Sequence, residues 1–152
     1  MKTKFAVLLL MVGVIGLFLV GCGCLGCLVE PQKVVLAFED IHFDYNSSAI
    51  TPAAQTILNK DIKILKENPK ARVRIGGYAS ASGTDAYNHQ LSEKRATAIK
   101  KYLTKEGHIS SDRFSTIGYG ETRPAMSEAN PKDIESDAAK ANRRVHFEIV
   151  AQ

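Results

Sequence analysis

The stretch from Gly76 to Leu103, GGYASASGTDAYNHQLSEKRATAIKKYL, constrains the chain more than any other. It reads as a strand end, a Gly/Ser-rich loop and one long amphipathic helix. On a wheel of about 100° per residue, Tyr87, Leu91, Ala98, Ile99, Tyr102 and Leu103 share one arc. Gln90, Glu93, Lys94, Lys100, Lys101 and Thr104 occupy the opposite side. Asn88 and Arg95 fall inside the apolar arc, two turns apart on one line. A guanidinium there cannot shed its proton, and burying it unpaired costs several kcal/mol. Three outcomes are open: Arg95 pairs with an internal acid, it snorkels to solvent over the apolar surface, or it lines a pocket for a carboxylate-bearing ligand with Asn88 beside it.

The chain before this stretch begins with a short basic segment, MKTK, and a continuously apolar run over 5–20. That is the layout of a secretory signal. The run meets Leu19-Val20-Gly21-Cys22, a tetrad that resembles the bacterial lipobox and makes Cys22 the lipidation site of a membrane-anchored envelope protein. Two or more acyl chains make such an anchor stable. The sequence stays apolar to Val29, so 5–29 is also long enough to span a bilayer uncleaved. Both alternatives put the remainder outside the cytoplasm. The organisation read here is a signal peptide at 1–21 (or an anchor at 5–29), a linker at 22–33 and one domain at 34–152. All three cysteines lie in the leader, with no His or carboxylate near them, so a metal site is not expected and no disulfide supports the domain. The formal net charge of +4 includes Lys2 and Lys4, and no long basic run follows. Nucleic acid is therefore not an expected partner.

Within the domain, Val34–Phe38 and the alternating Ile41, Phe43 and Tyr45 read as one first strand, bulged near Glu39-Asp40. Thr51-Pro52 opens a helix carrying Ile57, Leu58, Ile62 and Leu65, which stops at Asn68-Pro69. Ala71, Val73 and Ile75 alternate as a second strand ended by Gly76-Gly77. Thr84 or Asp85 caps the long helix, and Gly107 closes it as a C-terminal glycine. Residues 113–119 form a third strand, 124–141 a polar loop with one helical turn near 134–140, and Val145, Phe147 and Ile149 mark the last strand. The fold class is α+β: a β-α-β-α-β-β two-layer sandwich, two main helices on one face of a four-stranded mixed sheet, preceded by the signal or anchor segment. The β-α-β units imply parallel neighbours.

Catalysis finds no support. Asp85, His89 and Ser92 are close in sequence, but a solvated helix face explains them better than a triad. His42 and His146 point outward on strands, and no cofactor or phosphate loop is present.

FDYNSSAITPAA (43–54), YNHQLSEKRA (87–96), GYGETRP (118–124) and NRRVHFEI (142–149) together resemble the OmpA-like C-terminal domain, to which the peptidoglycan-associated lipoproteins also belong. The resemblance covers about 34–150. It implies a non-enzymatic periplasmic domain, without cofactor, that binds peptidoglycan non-covalently and tethers the outer membrane to the cell wall. In that family the pocket grips the zwitterionic diaminopimelate of the stem peptide. A helix arginine holds its carboxylate, and an aspartate in the preceding loop holds its ammonium. Arg95 falls on that arginine; Asn88 and Leu91 fall on positions shaping the pocket. Phe43 and Asp44 match its wall, and Asn142 and Arg143 match the nearby start of the last strand. Ser80 stands where the family carries its aspartate, so the charge that would meet the ammonium is missing from that loop. This departure implies weaker or altered binding, compensated by Asp85 or Asp44 if at all. It also keeps open an envelope protein-interaction module, possibly held in the inner membrane. Gly23 after Cys22 lacks the acid that retains lipoproteins there, which favours the outer membrane.

Overall fold

The structure, a computed structural model, describes residues 36–151. The leader, Cys22, the linker and Val34-Val35 lie outside the described residues.

Two strong helices follow from their caps and apolar spacing. In α1 (Pro52–Glu67) the Thr51 hydroxyl accepts from the Ala54 amide at 3.2 Å and proline occupies the first turn. Ala54, Leu58, Ile62 and Leu65 form its buried stripe. In α2 (Asp85–Lys105) Thr84 is the N-cap, its hydroxyl accepting from the Tyr87 amide at 3.3 Å. The strands are β1 (Ile41–His42), β2 (Arg72–Gly77), β3 (Phe114–Gly118) and β4 (Arg144–Ala151), with a short α3 (Asp137–Asn142) before β4. Val73, Ile75, Val145 and Phe147 turn one face of the sheet to the helices. Arg74, His146 and Glu148 stand on the other, and Arg74 pairs with Glu148 at 2.8 Å. Each fully buried aliphatic side chain in this core is worth about 1.5–3 kcal/mol. The expected two-layer α+β sandwich is what forms.

Three expectations need correction. The first strand is only two residues long; Leu36–Asp40 belongs to no strand, and Phe38 instead lays its ring against Phe147, centroids 5.4 Å apart. Glu39-Asp40, the expected site of a bulge, lie outside the sheet; a register shift occurs instead between β2 and β4, where Arg72 faces Ala151 and Val73 faces Ile149. The sheet order is β1-β4-β2-β3, so β2 and β3 are parallel neighbours but β4 runs antiparallel between β1 and β2. Finally, Gly107 is not the left-handed residue after α2; His108 takes that conformation at φ 52°. Gly107 is small for another reason: a Cβ there would meet the Leu103 carbonyl oxygen at 2.3 Å.

Candidate functional site

The buried stripe of α2 is Asn88, Ser92, Arg95, Ala96, Ile99 and Leu103. It is rotated from the arc the wheel favoured: Tyr87 is 44% exposed, whereas Ser92 is fully buried rather than on a solvated face. Glycines explain the rotation. A Cβ on Gly77 would lie 1.9 Å from the Ser92 carbonyl oxygen, and one on Gly118 would lie 2.7 Å from its Oγ. The helix therefore rests almost backbone-on-backbone against the ends of β2 and β3. Ser92 Oγ donates to the His89 carbonyl at 2.7 Å and accepts from the Gly120 amide at 2.9 Å. With His89 and Asp85 exposed, the three residues make no triad.

This docking carries Arg95 to the top of the sheet, where it is completely buried. Among the described residues it meets no acid, and solvent does not reach it. Its Nε donates to the Ser47 carbonyl at 2.9 Å, Nη1 to Tyr78 at 2.8 Å and Nη2 to Asp44 at 3.0 Å. The Phe43 ring lies beneath the guanidinium, 5.3 Å from its centroid. These acceptors take three of the five N–H groups and neutralise none of the charge. Burial, with the nearby Arg143 adding to it, pushes the Arg95 pKa down to about 10, so the group stays cationic at neutral pH.

Arg143, the C-cap of α3, is itself 5% exposed. Its Nε donates to the Phe43 carbonyl at 3.2 Å and its Nη1 to Ile134 at 2.6 Å. Neither arginine forms an ion pair among the described residues. Both line a cavity of about 20 Å³ together with Ser80, Ser82, Asn88 and Leu91, rimmed by Tyr45, Asn46 and Tyr87. That volume holds about one water. Asn46, in the left-handed region at φ 53°, accepts a hydrogen bond from the Tyr87 hydroxyl across the mouth.

Of the residues singled out in the sequence, Ser80, Asn88, Leu91, Arg95 and Arg143 meet at this cavity. Phe43 supports Arg95 from below and also faces a larger neighbouring groove, of about 830 Å³. Asp44 contributes its backbone carbonyl to Arg95; it lines that groove and is not among the residues of the Arg95 cavity. Asn142 is buried but does not reach the cavity. Its Oδ1 accepts from the Ala125 and Met126 amides at 2.7 and 3.0 Å, and its Nδ2 donates to the Met126 carbonyl and to Glu128. It holds the loop between β3 and α3 in place. Asn88 donates to the Glu121 carboxylate. Asp85 is exposed at the start of α2 and outside the cavity wall. Sequence reasoning missed Ser82, Asn46 and the structural part of Ser92. The available signal was the pair of glycines, Gly77 and Gly118, that demand close approach. Among the described residues no cluster of His, Cys, Asp or Glu could hold a metal ion, and no helix is long and apolar enough to cross a membrane.

Comparison with known proteins agrees with the fold. The chain is 34% identical over 119 residues to the peptidoglycan-associated lipoprotein of Pseudomonas putida, covering 78% of this chain and 68% of that one. It is 31% identical over 120 residues to outer membrane porin F of Pseudomonas aeruginosa, covering 79% of this chain but only 33% of the porin's length. The crystal structure of the peptidoglycan-associated lipoprotein from Burkholderia pseudomallei superposes with a TM-score of 0.64 at 24% identity, over 74% of this chain and 89% of that one, which shows the shared fold. The OmpA family model matches residues 42–138, and on that match the chain belongs to the OmpA family.

Proposed function

We propose that this protein binds peptidoglycan non-covalently, with Arg95 taking a carboxylate of the diaminopimelate stem peptide. One observation supports this above the others: two buried guanidiniums, Arg95 and Arg143, line one cavity and are joined to no acid among the described residues. A protein that buries two cations without an anion carries a standing electrostatic cost, and an incoming carboxylate removes it. Phe43 fixes the plane of Arg95, and Asn88 and Leu91 flank the bound group. The exposed rings of Tyr45 and Tyr87 rim the mouth, and the Tyr87–Asn46 hydrogen bond yields when ligand enters. Anchored through lipid on Cys22 to the outer membrane, the domain ties that membrane to the wall; its similarity to a peptidoglycan-associated lipoprotein favours this arrangement. The reading is of a binding protein, not a catalyst.

Co-sedimentation of the full chain with purified cell-wall sacculi tests the proposal. Wild type is expected in the pellet and Arg95→Ala in the supernatant, with both melting cooperatively. A protein-interaction module would leave both in the supernatant, and an Arg95→Ala variant that still pellets would refute the assignment of the carboxylate to Arg95.

A further inference from the structure

We propose that the outer face of the helix layer is a docking surface for anionic lipid headgroups, which lays the domain on the membrane that anchors it. The inference rests on that anchoring, in either form of the leader, and not on what occupies the Arg95 cavity. α1 and α2 meet at a seam where the Tyr102 hydroxyl donates to Asn59 Oδ1 at 3.2 Å. Lys63 and Lys66, one and two turns on from Asn59, stand on the same side of α1. Across the seam Lys94, Lys101 and Lys105 follow one another at helical spacing along α2. All five lysines are exposed. Lys94 and Lys101 border a groove of about 450 Å³, with Thr97 and Ser48 between them in its wall.

The charge on this face is not consumed. Lys63, Lys66, Lys94 and Lys101 form no ion pair among the described residues, and Lys105 only a long one, 3.9 Å to Glu106. Glu93 in the groove and Glu67 at the end of α1 offset part of it. On the outward face of the sheet, by contrast, Arg74 is paired with Glu148 at 2.8 Å and Arg144 with Asp40 at 3.4 Å. Free positive charge is therefore one-sided. From Cys22 to Leu36 the chain spans at most about 50 Å when fully extended, and an anchor ending at Val29 shortens that to about 25 Å. A bilayer is thus within reach of the face, and each lysine near an anionic surface adds attraction. One anchor plus a basic patch is a two-signal attachment, which holds where a single weak one does not. Among the described residues no large apolar side chain is exposed on α1, or on α2 beyond Tyr87. Nothing on this face enters hydrocarbon; headgroup charge alone holds it, and salt releases it.

The test places the full chain, domain outward, on vesicles of phosphatidylcholine alone and of phosphatidylcholine with phosphatidylglycerol. The acetylation rate of each lysine is then read by mass spectrometry. On the anionic vesicles Lys63, Lys66, Lys94 and Lys101 are expected to react about fivefold more slowly than on the neutral ones. Lys132, in the loop before α3, and Lys140, in α3, should keep one rate on both. Molar salt should abolish the difference. Combining Lys63→Glu with Lys101→Glu, both at exposed helix positions, should return Lys66 and Lys94 to the neutral-vesicle rate with the melting curve unchanged. Equal rates on the two vesicles, slowing that includes Lys132 and Lys140 alike, or slowing that survives the double variant would each overturn the proposal. Arg95→Ala should dock as wild type does, because none of these lysines lines the Arg95 cavity, so loss of sacculus binding leaves the docking surface standing. A chain that floats with neither vesicle overturns anchoring and docking together. One that floats with the anionic vesicles only supports the lysine face and removes the anchor.

Discussion

From Ala96 to Leu103 the buried stripe of α2 is aliphatic, and Ile99 and Leu103 are sealed among Leu58, Val73 and Phe147 in the core. From Asn88 to Arg95 the same stripe, equally buried, holds an amide, a hydroxyl and a guanidinium. The two halves share one helix, one sheet and the same depth. They differ in what stabilises them. The C-terminal half gains by removing apolar surface from water. The N-terminal half gains little that way; it is positioned by glycines that admit the helix backbone and by carbonyls that receive Arg95. A stripe built only for stability would continue Leu and Ile to the N-terminus. The difference teaches that stability is concentrated at one end and chemistry at the other.

The largest effect should come from breaking the backbone contact that seats the polar half on the sheet. In Gly77→Ala the new Cβ collides with helix backbone at Ser92, which has no rotamer to yield. We expect a loss above about 4 kcal/mol, seen as loss of cooperative melting by circular dichroism. Next, Leu103→Ala strikes the aliphatic half alone. It should cost about 2–5 kcal/mol in chemical denaturation and leave sacculus binding intact when measured well below the melting temperature.

A smaller, pH-dependent effect is expected at Asp61 of α1, 3% exposed and with Oδ2 unpartnered. Burial pushes its carboxyl up to about 7, with Glu39 adding to the rise and Lys60 opposing it. The folded state therefore binds a proton more tightly than the unfolded chain does. Its stabilising contribution is full below the unfolded value near 4 and is lost as pH rises through 7. Asp61→Asn should remove that loss, raising stability at pH 8 by on the order of 3 kcal/mol over wild type and changing little at pH 4. Parallel melts at the two pH values check it.

The smallest change in stability should accompany the largest change in binding. Arg95→Met forfeits three hydrogen bonds to carbonyls but also removes a buried unpaired charge, so the net shift should stay within about 2 kcal/mol. Sacculus binding should vanish. If this variant instead unfolds, the polar half of α2 is a structural clamp and the contrast between the halves disappears.

Much of this was legible in the residues. Thr51-Pro52 and Thr84 announced their helices, Asn68-Pro69 the end of α1, and Arg95 its own anomaly within a helical period. The alternation of Val145, Phe147 and Ile149 marked β4. What stayed hidden depends on partners distant in sequence. The wheel centred on apolar side chains because it could not know that Gly77 and Gly118 would admit Ser92. The first strand looked long because Leu36–Phe38 is apolar, but β4 offers pairing only at Ile41 and His42. Glu128 reads as an ordinary polar residue in a loop; only the fold brings it to Ala81, 47 positions away.

The position of β4 at the heart of the sheet has a consequence for the birth of the protein. The last-synthesised of the described strands separates β1 from β2 and bonds to both. A nascent chain ending before Arg144 can pair β2 with β3 but leaves β1 with no neighbour. The sheet closes only once the whole polypeptide is free, and contacts so distant along the chain slow that closure. Until Arg143 and the strand that follows it are in place, the cavity around Arg95 lacks one of its walls.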